Sequence, residues 1–220
     1  MSCTLLRPDV AATLAREHAA AKAMREARRI QSCGEGRPET HKMDFRTSEA
    51  HRTQYLSIGP RMGRFLYNSV RAIGARNIVE FGTSFGVSTL YLAAAATDTG
   101  GKVTGSEYHA NKAEKARSNL ADAGLSARAD IRVGDARETL RTVEGPIDLL
   151  FLDGAKDLYI EILKMLEDRL RPGAFVITDN ADHLPRDEGF LRHVGQGSSR
   201  YLTTLIGFNK GMASQSLVLS

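Results

Sequence analysis

The stretch IVEFGTSFGVSTLYLA, which spans Ile78–Ala93, decides how the chain folds. It starts as a short apolar run, breaks into a turn that contains Gly82 and Gly86, and continues with apolar residues at helical spacing. This order predicts a strand, a tight turn and a helix. In open α/β sheets, ligands bind at such turns, because glycine lets the backbone approach them and the helix N-terminus offers free N–H groups.

The spacing of this turn separates it from two common nucleotide-binding motifs. It reads E-x-G-x-x-x-G, whereas a dinucleotide site needs G-x-G-x-x-G and a P-loop needs G-x-x-x-x-G-K. A nicotinamide dehydrogenase is therefore disfavoured. Because glycine turns between a strand and a helix are common, the motif alone does not define a ligand.

The rest of the chain repeats the alternation of strand and helix. Such a pattern is typical of a parallel sheet, whose neighbouring strands need helical crossovers. The tail reads as two strands joined by a tight turn at 209–211, which predicts a closing antiparallel hairpin. We therefore expect an α/β fold with a Rossmann-like, seven-stranded, doubly wound sheet. Strands are predicted at 77–81, 102–107, 129–133, 147–153, 174–179, 200–208 and 212–220, and helices between them at 87–96, 111–123, 136–143 and 157–170.

The residues before the sheet are predicted to be mostly helical. A run without proline or glycine, rich in Ala, Arg and Glu, predicts a helix over 9–30 with a loop at 32–38 behind it. A second helix is expected to start near Pro60 and to extend to Ala75, since proline is tolerated in a first helical turn. We expect these helices to form a cap on the sheet.

Composition places the chain among globular proteins. Its 220 residues are 42% hydrophobic and 25% charged, which suits one domain whose core needs no disulfide or metal. Cys3 and Cys33 have no CxxC spacing, so a zinc site is disfavoured and a reducing cytoplasm fits. Neither an apolar run of roughly 20 residues nor the apolar segment of a signal peptide is present. We expect a cytoplasmic protein that does not insert into membranes.

Positive charge is concentrated in the first part of the chain. Residues 1–64 carry 12 Lys or Arg against 7 Asp or Glu, a net charge of +5, and residues 65–220 carry 18 against 19, a net charge of −1. This asymmetry is compatible with nucleic acid or an anionic ligand near the N-terminal segment. The basic residues lack interleaved aromatics and a recognition-helix motif, so we favour a solvated helix face and do not expect a nucleic-acid partner.

Acidic residues stand at the ends of three consecutive predicted strands: Glu80, Glu107 and Asp135. Glu107 stands where an acid accepts hydrogen bonds from both hydroxyls of an adenosine ribose, and the ring of Tyr108 is suited to pack against adenine. One such acid is often only a helix cap, but three in a row favour an adenosyl ligand. Because these acids would repel a phosphate, a cationic adenosyl compound fits better than a dinucleotide.

These motifs together resemble class I S-adenosylmethionine-dependent methyltransferases. The resemblance rests on VEFGTSFG at 79–86, GSEYH at 105–109, GDA at 134–136 and the closing hairpin. It implies one methyltransferase domain over 1–220, divided into a helical cap and acceptor-pocket segment at 1–57 and a cofactor-binding core at 58–220, with 41–57 shaping the pocket. The residues expected to contact S-adenosylmethionine are Glu80, Gly82, Ser84, Gly86, Ser88, Glu107, Tyr108, Asp135, Ala136 and Asp153.

Oxygen ligands follow the fourth and fifth predicted strands. Asp153 ends the fourth strand, and Asp179 with Asn180 ends the fifth. Two carboxylates and an amide suit a hard cation such as Mg²⁺ and are poor ligands for zinc. The alternative is that Asp179-Asn180 is a turn signal and Asp153 a helix cap. The surrounding segments, IDLLFLDGAKDLY at 147–159 and VITDN at 176–180, resemble the metal-dependent O-methyltransferases that include catechol and caffeoyl-CoA O-methyltransferases.

Lys156 follows Asp153 by three residues. A lysine there is usually a solvated charge, but beside a divalent cation its ammonium form is disfavoured and the amine can take a proton from a phenol. The resemblance implies that Lys156 is the general base. We therefore expect a homodimeric enzyme that methylates one oxygen of a catechol-like small molecule. An RNA methyltransferase with the same cofactor turn, and a non-catalytic dimeric binding protein of the same fold, are the alternatives.

Overall fold

The predicted order of strands and helices is confirmed. The computed structural model describes residues 3–31, 44–208 and 211–220, so the predicted loop at 32–38, Cys33 and the turn residues 209–210 lie outside the described residues. The strands are β1 (Asn77–Phe81), β2 (Lys102–Glu107), β3 (Ala129–Val133), β4 (Ile147–Leu152), β5 (Leu170–Thr178), β6 (Tyr201–Phe208) and β7 (Gly211–Val218). The helices are α1 (Pro8–Gln31), α2 (Glu49–Thr53), α3 (Pro60–Ala72), α4 (Val87–Thr99), α5 (Ala110–Asp122), α6 (Ala136–Thr139), α7 (Tyr159–Leu166) and α8 (Gly189–Val194).

The strands form one sheet in the order β3-β2-β1-β4-β5-β7-β6. The first five strands in this order run parallel, and β7 pairs antiparallel with both β5 and β6. The predicted C-terminal hairpin is therefore confirmed. The strand order reverses between β1 and β4, which makes this the topological switch point where open α/β sheets bind ligands.

The register of the parallel strands places their ends at one level. Phe81, the last residue of β1, pairs with Ser106 in β2 and with Leu152 in β4. Leu152 in turn pairs with Thr178, the last residue of β5. The residues that follow these pairs therefore come together at the same edge of the sheet.

Alternate strand residues face two separate parts of the core. In β1, Ile78 packs with α3 and α4 on one face, and Val79 packs with α7 on the other. In β4, Leu149 belongs to the first cluster and Leu150 to the second. Because both faces are covered, the central strands are apolar at consecutive positions, as is usual for parallel sheets.

The predicted helix at 136–143 is shorter in the structure. α6 ends at Thr139, and the chain continues in turns in which Val143 N–H donates to the Leu140 carbonyl. Leu140 and Val143 are both buried against α7 and its neighbours. Tight turns therefore bury these two side chains without a continued helix.

The predicted helix at 157–170 is divided, and the following strand starts earlier than predicted. One turn of 3-10 helix precedes α7, another follows it, and β5 begins at Leu170 instead of residue 174. The pairing of β4 with β5 jumps from Ile147–Leu170 to Leu149–Phe175. This bulge lets Pro172, which has no N–H to donate, lie within the span of β5 without breaking the ladder.

The N-terminal helix α1 packs on α4 and α5, two of the helices that cover the sheet. Val10 and Leu14 are buried in the same core cluster as residues of α4 and α5, and Ala21 is buried further along the helix. Within the described ranges, no helix is both long and apolar enough to cross a membrane.

Candidate active site

A cavity of about 830 Å³ lies over the carboxyl ends of the strands, a volume typical of small-molecule sites. Its lining residues between 81 and 208 form what we call the strand floor, and those between 25 and 62 form the cap wall. Residues 41–43 of the predicted acceptor segment lie outside the described residues. The predicted site residues that line the cavity are Gly82, Ser84, Glu107, Tyr108, Asp135, Ala136, Asp153, Lys156, Asp179 and Asn180.

Gly82 brings the turn after β1 into direct contact with the end of β4. Its φ is +97°, and a Cβ placed on it would lie 2.6 Å from the carbonyl oxygen of Asp153 and 2.6 Å from the nitrogen of Gly154. Ser84 also has a positive φ, of +50°, which costs about 1–2 kcal/mol for a residue with a Cβ. Its N–H donates to Glu107 Oε2 at 2.7 Å. The turn therefore has one defined shape between β2 and β4.

Three residues predicted to contact the cofactor are not among the described residues that line the cavity: Glu80, Gly86 and Ser88. Glu80 is fully buried, and its carboxylate accepts hydrogen bonds from the hydroxyls of Thr83, Ser88 and Thr89 at 2.6–2.9 Å. Burial raises the pKa of Glu80, and these three hydroxyls oppose the rise. At Gly86 a Cβ would meet a side chain of α5 at 2.9 Å. Glu80, Gly86 and Ser88 therefore contribute to the conformation of the turn on the side away from the cavity.

Glu107 projects from the end of β2 into the strand floor. It is buried, and each carboxylate oxygen accepts one backbone hydrogen bond, from Ser84 at 2.7 Å and from His109 at 2.9 Å. Each oxygen keeps a lone pair for a ligand. Beside it, the Tyr108 ring is partly exposed and stands edge-on to Phe45 of the cap wall, with ring centroids 5.2 Å apart. The floor and the cap wall meet at this point.

The Asp135 carboxylate already has partners within the protein, which the sequence did not indicate. Its carboxylate caps α6 by accepting the N–H of Arg137 and also pairs with the guanidinium of that residue at 2.6 Å. Hydrogen bonds from Arg137 hold the pKa of Asp135 below its usual range. The carboxylate therefore faces the cavity as an anion at neutral pH, next to Ala136.

Lys112, in the first turn of α5, is a floor residue that our sequence reasoning missed. It is 2% exposed, its ammonium donates to Ser84 Oγ at 3.2 Å, and it stands 5.1 Å from the centre of the Phe85 ring. Burial lowers the pKa of Lys112 to about 8, and Glu107 opposes this shift. The sequence contained a signal for its burial. Lys112 lies four residues before Ala116, which places both on the same buried face of α5.

The carboxylates of Asp153 and Asp179 lie at the ends of β4 and β5, the neighbouring strands of the sheet. The N–H of Asp153 donates to Phe81, and that of Asp179 donates to Leu152, so the parallel ladder extends to both residues. Burial raises the pKa of each carboxyl, Lys156 lowers both, and the Asp179 charge raises that of Asp153 further. The pair is therefore penalised as two anions unless positive charge lies beside it.

The donor set at this edge suits a hard cation. Within the described ranges, no group of three or more His, Cys, Asp or Glu side chains is arranged to hold a metal. The candidate set is two carboxylates plus the Asn180 amide, whose residue has a φ of +56°. All three supply oxygen, which Mg²⁺ prefers, and Mg²⁺ normally completes its sphere with water and substrate oxygens. The residues therefore fit a divalent cation of this type.

Lys156 lies in the turn after β4, close to this pair. Its Nζ is 3.4 Å from Asp153 Oδ1 and 2.7 Å from the hydroxyl of Tyr159. That hydroxyl also donates to the backbone carbonyl of Asp179 at 3.3 Å. The sequence did not point to Tyr159 as a site residue, because apolar helical spacing after Tyr159 is typical of a core position. Its ring is indeed buried, and the signal for a second role was the hydroxyl, which needs a partner when buried.

The fold and the cavity together define a class of protein. A sheet of this strand order, a glycine turn after β1 and an acid at the end of β2 are the architecture of a class I S-adenosylmethionine-dependent methyltransferase. The predicted fold class is therefore confirmed.

Comparisons with known proteins support this class and narrow it. Residues 79–181 match a family described as a methyltransferase domain. A catechol O-methyltransferase from Niastella koreensis is 34% identical over 160 residues, which are 70% of this chain and 72% of the relative. A catechol O-methyltransferase from Mycobacterium tuberculosis is 37% identical over 134 residues, or 60% of each protein. The O-methyltransferase TomG from Streptomyces achromogenes, solved in complex with SAM, is 29% identical, with a TM-score of 0.66 over 75% of this chain and 82% of that one.

The chain therefore belongs to the S-adenosylmethionine-dependent O-methyltransferases, in the family that includes the catechol and caffeoyl-CoA enzymes. It is an O-methyltransferase that uses S-adenosylmethionine. The family resemblance and the S-adenosylmethionine cofactor that it implies are confirmed.

Proposed function

We propose that this enzyme transfers the methyl group of S-adenosylmethionine to one hydroxyl of a catechol-like diol, with a divalent cation such as Mg²⁺ at the strand floor. The observation that carries the proposal is the meeting of two partly buried carboxylates, Asp153 and Asp179, with Lys156 beside the glycine turn. Two relatives are named catechol O-methyltransferases, which supports this acceptor class.

The charge of the strand floor suits a sulfonium cofactor. Five carboxylates line it against two lysines, a formal net charge of −3. Glu107 would accept the ribose hydroxyls on its remaining lone pairs, and Tyr108 and Ala136 would face the adenine. The five carboxylates are those of Glu107, Asp135, Asp153, Asp157 and Asp179, and the lysines are Lys112 and Lys156.

The residues around the acceptor would divide the chemistry between them. Asp153, Asp179 and Asn180 would hold the cation, which when bound supplies positive charge that stabilises a phenolate. Lys156 would take the phenolic proton at Nζ, because its amine faces the same cavity. The Tyr159 hydroxyl would keep that amine in place through its 2.7 Å contact. Rate enhancement then comes mainly from positioning and charge neutralisation.

A methyl-transfer assay with labelled S-adenosylmethionine and catechol, run with Mg²⁺ and with a chelator, tests the proposal. Asp179→Ala removes a charged cation ligand, so turnover should fall and recover partly when Mg²⁺ is raised. Lys156→Ala keeps the cation ligands, so Mg²⁺ affinity should hold while the rate falls by roughly 10²–10⁴. That loss should shrink at high pH, where more of the phenol is already ionised. Asp168→Asn is the control, because its carboxylate is exposed and does not line the cavity.

Two results would reject parts of the proposal. Wild-type turnover that survives the chelator would place the enzyme among the metal-independent methyltransferases. Full activity of Lys156→Ala at neutral pH would remove the lysine from the chemistry. If catechol is not methylated at all, a screen of hydroxycinnamoyl thioesters and tRNA identifies the acceptor class instead.

We also propose that the enzyme is a cytoplasmic homodimer. The outer strand β6 exposes Leu202 by 63% and Leu205 by 40%, and covering such apolar surface is favourable. Light scattering should then give about twice the chain mass of 24.0 kDa. A monomer at micromolar concentration would reject the dimer.

A further inference from the structure

The described lining of the cap wall contains more arginines than acidic residues. Among the described residues, its lining contains four arginines, Arg25, Arg28, Arg46 and Arg61, against one aspartate, Asp44, a formal net charge of +3 for this described part. Asp44 pairs with Arg46 at 3.3 Å, so it does not serve the two arginines of α1. Since the strand floor has a net charge of −3, the cavity is positive on one side and negative on the other.

Arg25 and Arg28 are three residues apart on α1, a spacing that puts both on one face of the helix. Both are half-buried and line the cavity, and neither has a hydrogen bond or an ion pair within the described part of the chain. Arg29, the next residue, is exposed and pairs with Glu26 at 2.9 Å. The two arginines of α1 that face the cavity are therefore left without an acidic partner among the described residues.

Two polar atoms of the cap wall add an independent observation. His51 Nδ1 and Ser57 Oγ are buried and have no hydrogen-bond partner among the described residues, and both side chains belong to the cavity lining. Buried polar atoms are almost always paired in native proteins. Both atoms keep unused hydrogen-bonding capacity beside the cavity, which a polar group of a ligand or a water would satisfy.

We propose that the acceptor carries an anionic substituent, a carboxylate or a phosphate, which Arg25 and Arg28 bind while the diol lies at the strand floor. This inference rests on the proposed diol methylation and adds the class of its substituent. The cationic cofactor matches the negative floor, and an anionic acceptor matches the positive wall. Guanidinium groups bind carboxylates and phosphates through paired hydrogen bonds. A neutral or cationic catechol would leave both arginines without a partner.

Matched acceptors test this inference. 3,4-Dihydroxybenzoate and 3,4-dihydroxybenzamide differ in charge at nearly constant shape, a dihydroxycinnamate pair extends the same groups further, and the coenzyme A thioester of that cinnamate offers phosphates. We expect a wild-type preference for each carboxylate over its amide of at least about tenfold in kcat/KM, the effect of roughly one charge-assisted hydrogen bond. R25Q/R28Q should reduce the preference to below about threefold, and R25K/R28K should keep more of it. Arg29→Gln is the matched control on the same helix.

A binding measurement separates failure of this inference from failure of the proposed function. The same ligand pairs are titrated by calorimetry into the full chain saturated with S-adenosylhomocysteine, and thermal unfolding verifies that each variant is folded. A carboxylate preference that R25Q/R28Q loses supports the anion site, even where no acceptor is methylated. A thioester preference lost in the same variant supports a phosphate ligand. Equal binding of carboxylate, thioester and amide, or a preference that Arg29→Gln removes as strongly, overturns the inference.

Discussion

Gly82→Ala should damage the site far more than its small change in volume suggests. A Cβ at a φ of +97° is strained, at a cost of roughly 1–2 kcal/mol. The same Cβ would stand 2.6 Å from the Asp153 carbonyl and the Gly154 nitrogen, so backbone must move, and overpacking of this kind costs roughly 1–3 kcal/mol more. Gly100 separates the two effects, because its φ is +74° but no atom lies within 4 Å of the position that a Cβ would take there.

Thermal unfolding and calorimetry measure both consequences. One kcal/mol shifts the Tm of a chain of this size by roughly 2–4 °C, so Gly82→Ala should unfold about 2–12 °C below Gly100→Ala. Displacing Asp153 should also weaken binding of S-adenosylhomocysteine at least about tenfold in Gly82→Ala and leave it unchanged in Gly100→Ala. Equal Tm values and equal affinities in the two variants would refute the close approach of the turn to β4.

Three further predictions concern the strand floor. Glu107→Gln removes a buried charge, so affinity for S-adenosylmethionine should fall by roughly 10–100-fold in calorimetry, and an unchanged affinity would contradict its place on the ribose. Burial lowers the pKa of Lys112 to about 8 from an ordinary 10.5, so the folded state gives up this proton first and the stability of the unliganded enzyme should rise with pH between these values. Lys112→Met should therefore stabilise the protein at pH 7, by on the order of 3 kcal/mol, and remove that rise in urea unfolding at pH 7 and 9.5; an equally steep rise in the variant would count against the buried ammonium. Tyr159→Phe removes the hydroxyl that contacts the Lys156 amine, so kcat should fall about tenfold while Mg²⁺ affinity is retained. If Tyr159→Phe lowers kcat by the same factor in the Lys156→Ala variant, the hydroxyl does not act through Lys156.

Much of the cofactor side of the site was predictable from local sequence. Parallel strands bring their carboxyl ends to one edge, so residues that end predicted strands, such as Glu107, Asp153 and Asp179, were expected to meet, and they line one cavity. Strand ends are readable because apolar runs stop there abruptly. Glu80 shows the limit of this reasoning. It ends an apolar run, but its carboxylate accepts hydrogen bonds from buried hydroxyls and does not line the described part of the cavity.

The acceptor side was less predictable because it depends on packing between distant segments. Arg25 and Arg28 look like any other basic residues on an Arg-rich helix, and the docking of α1 on α4 and α5 brings them to the cavity. Tyr159 sits at an apolar period of α7, and its contact with Lys156 follows from a turn of 3-10 helix that no periodicity predicts. The bulge that moves the start of β5 to Leu170 likewise arises from the pairing of two strands.

The attachment of α1 has a consequence for how ligands enter. Thr4, in the 3-10 turn just before α1, donates to Asp98, and Arg16 in the first half of α1 donates to Asn119 at 2.7 Å, so these hydrogen bonds tie the start of α1 to α4 and α5. By contrast, the five-residue α2 has no buried residue, and elements with few buried contacts open most readily. We therefore expect passage into and out of the cavity to depend on α2 more than on α1. Replacing the α2 segment with that of a related enzyme would then change how ligands reach the cavity and which acceptor shapes fit it. Arg25 and Arg28 of α1 would stay in place.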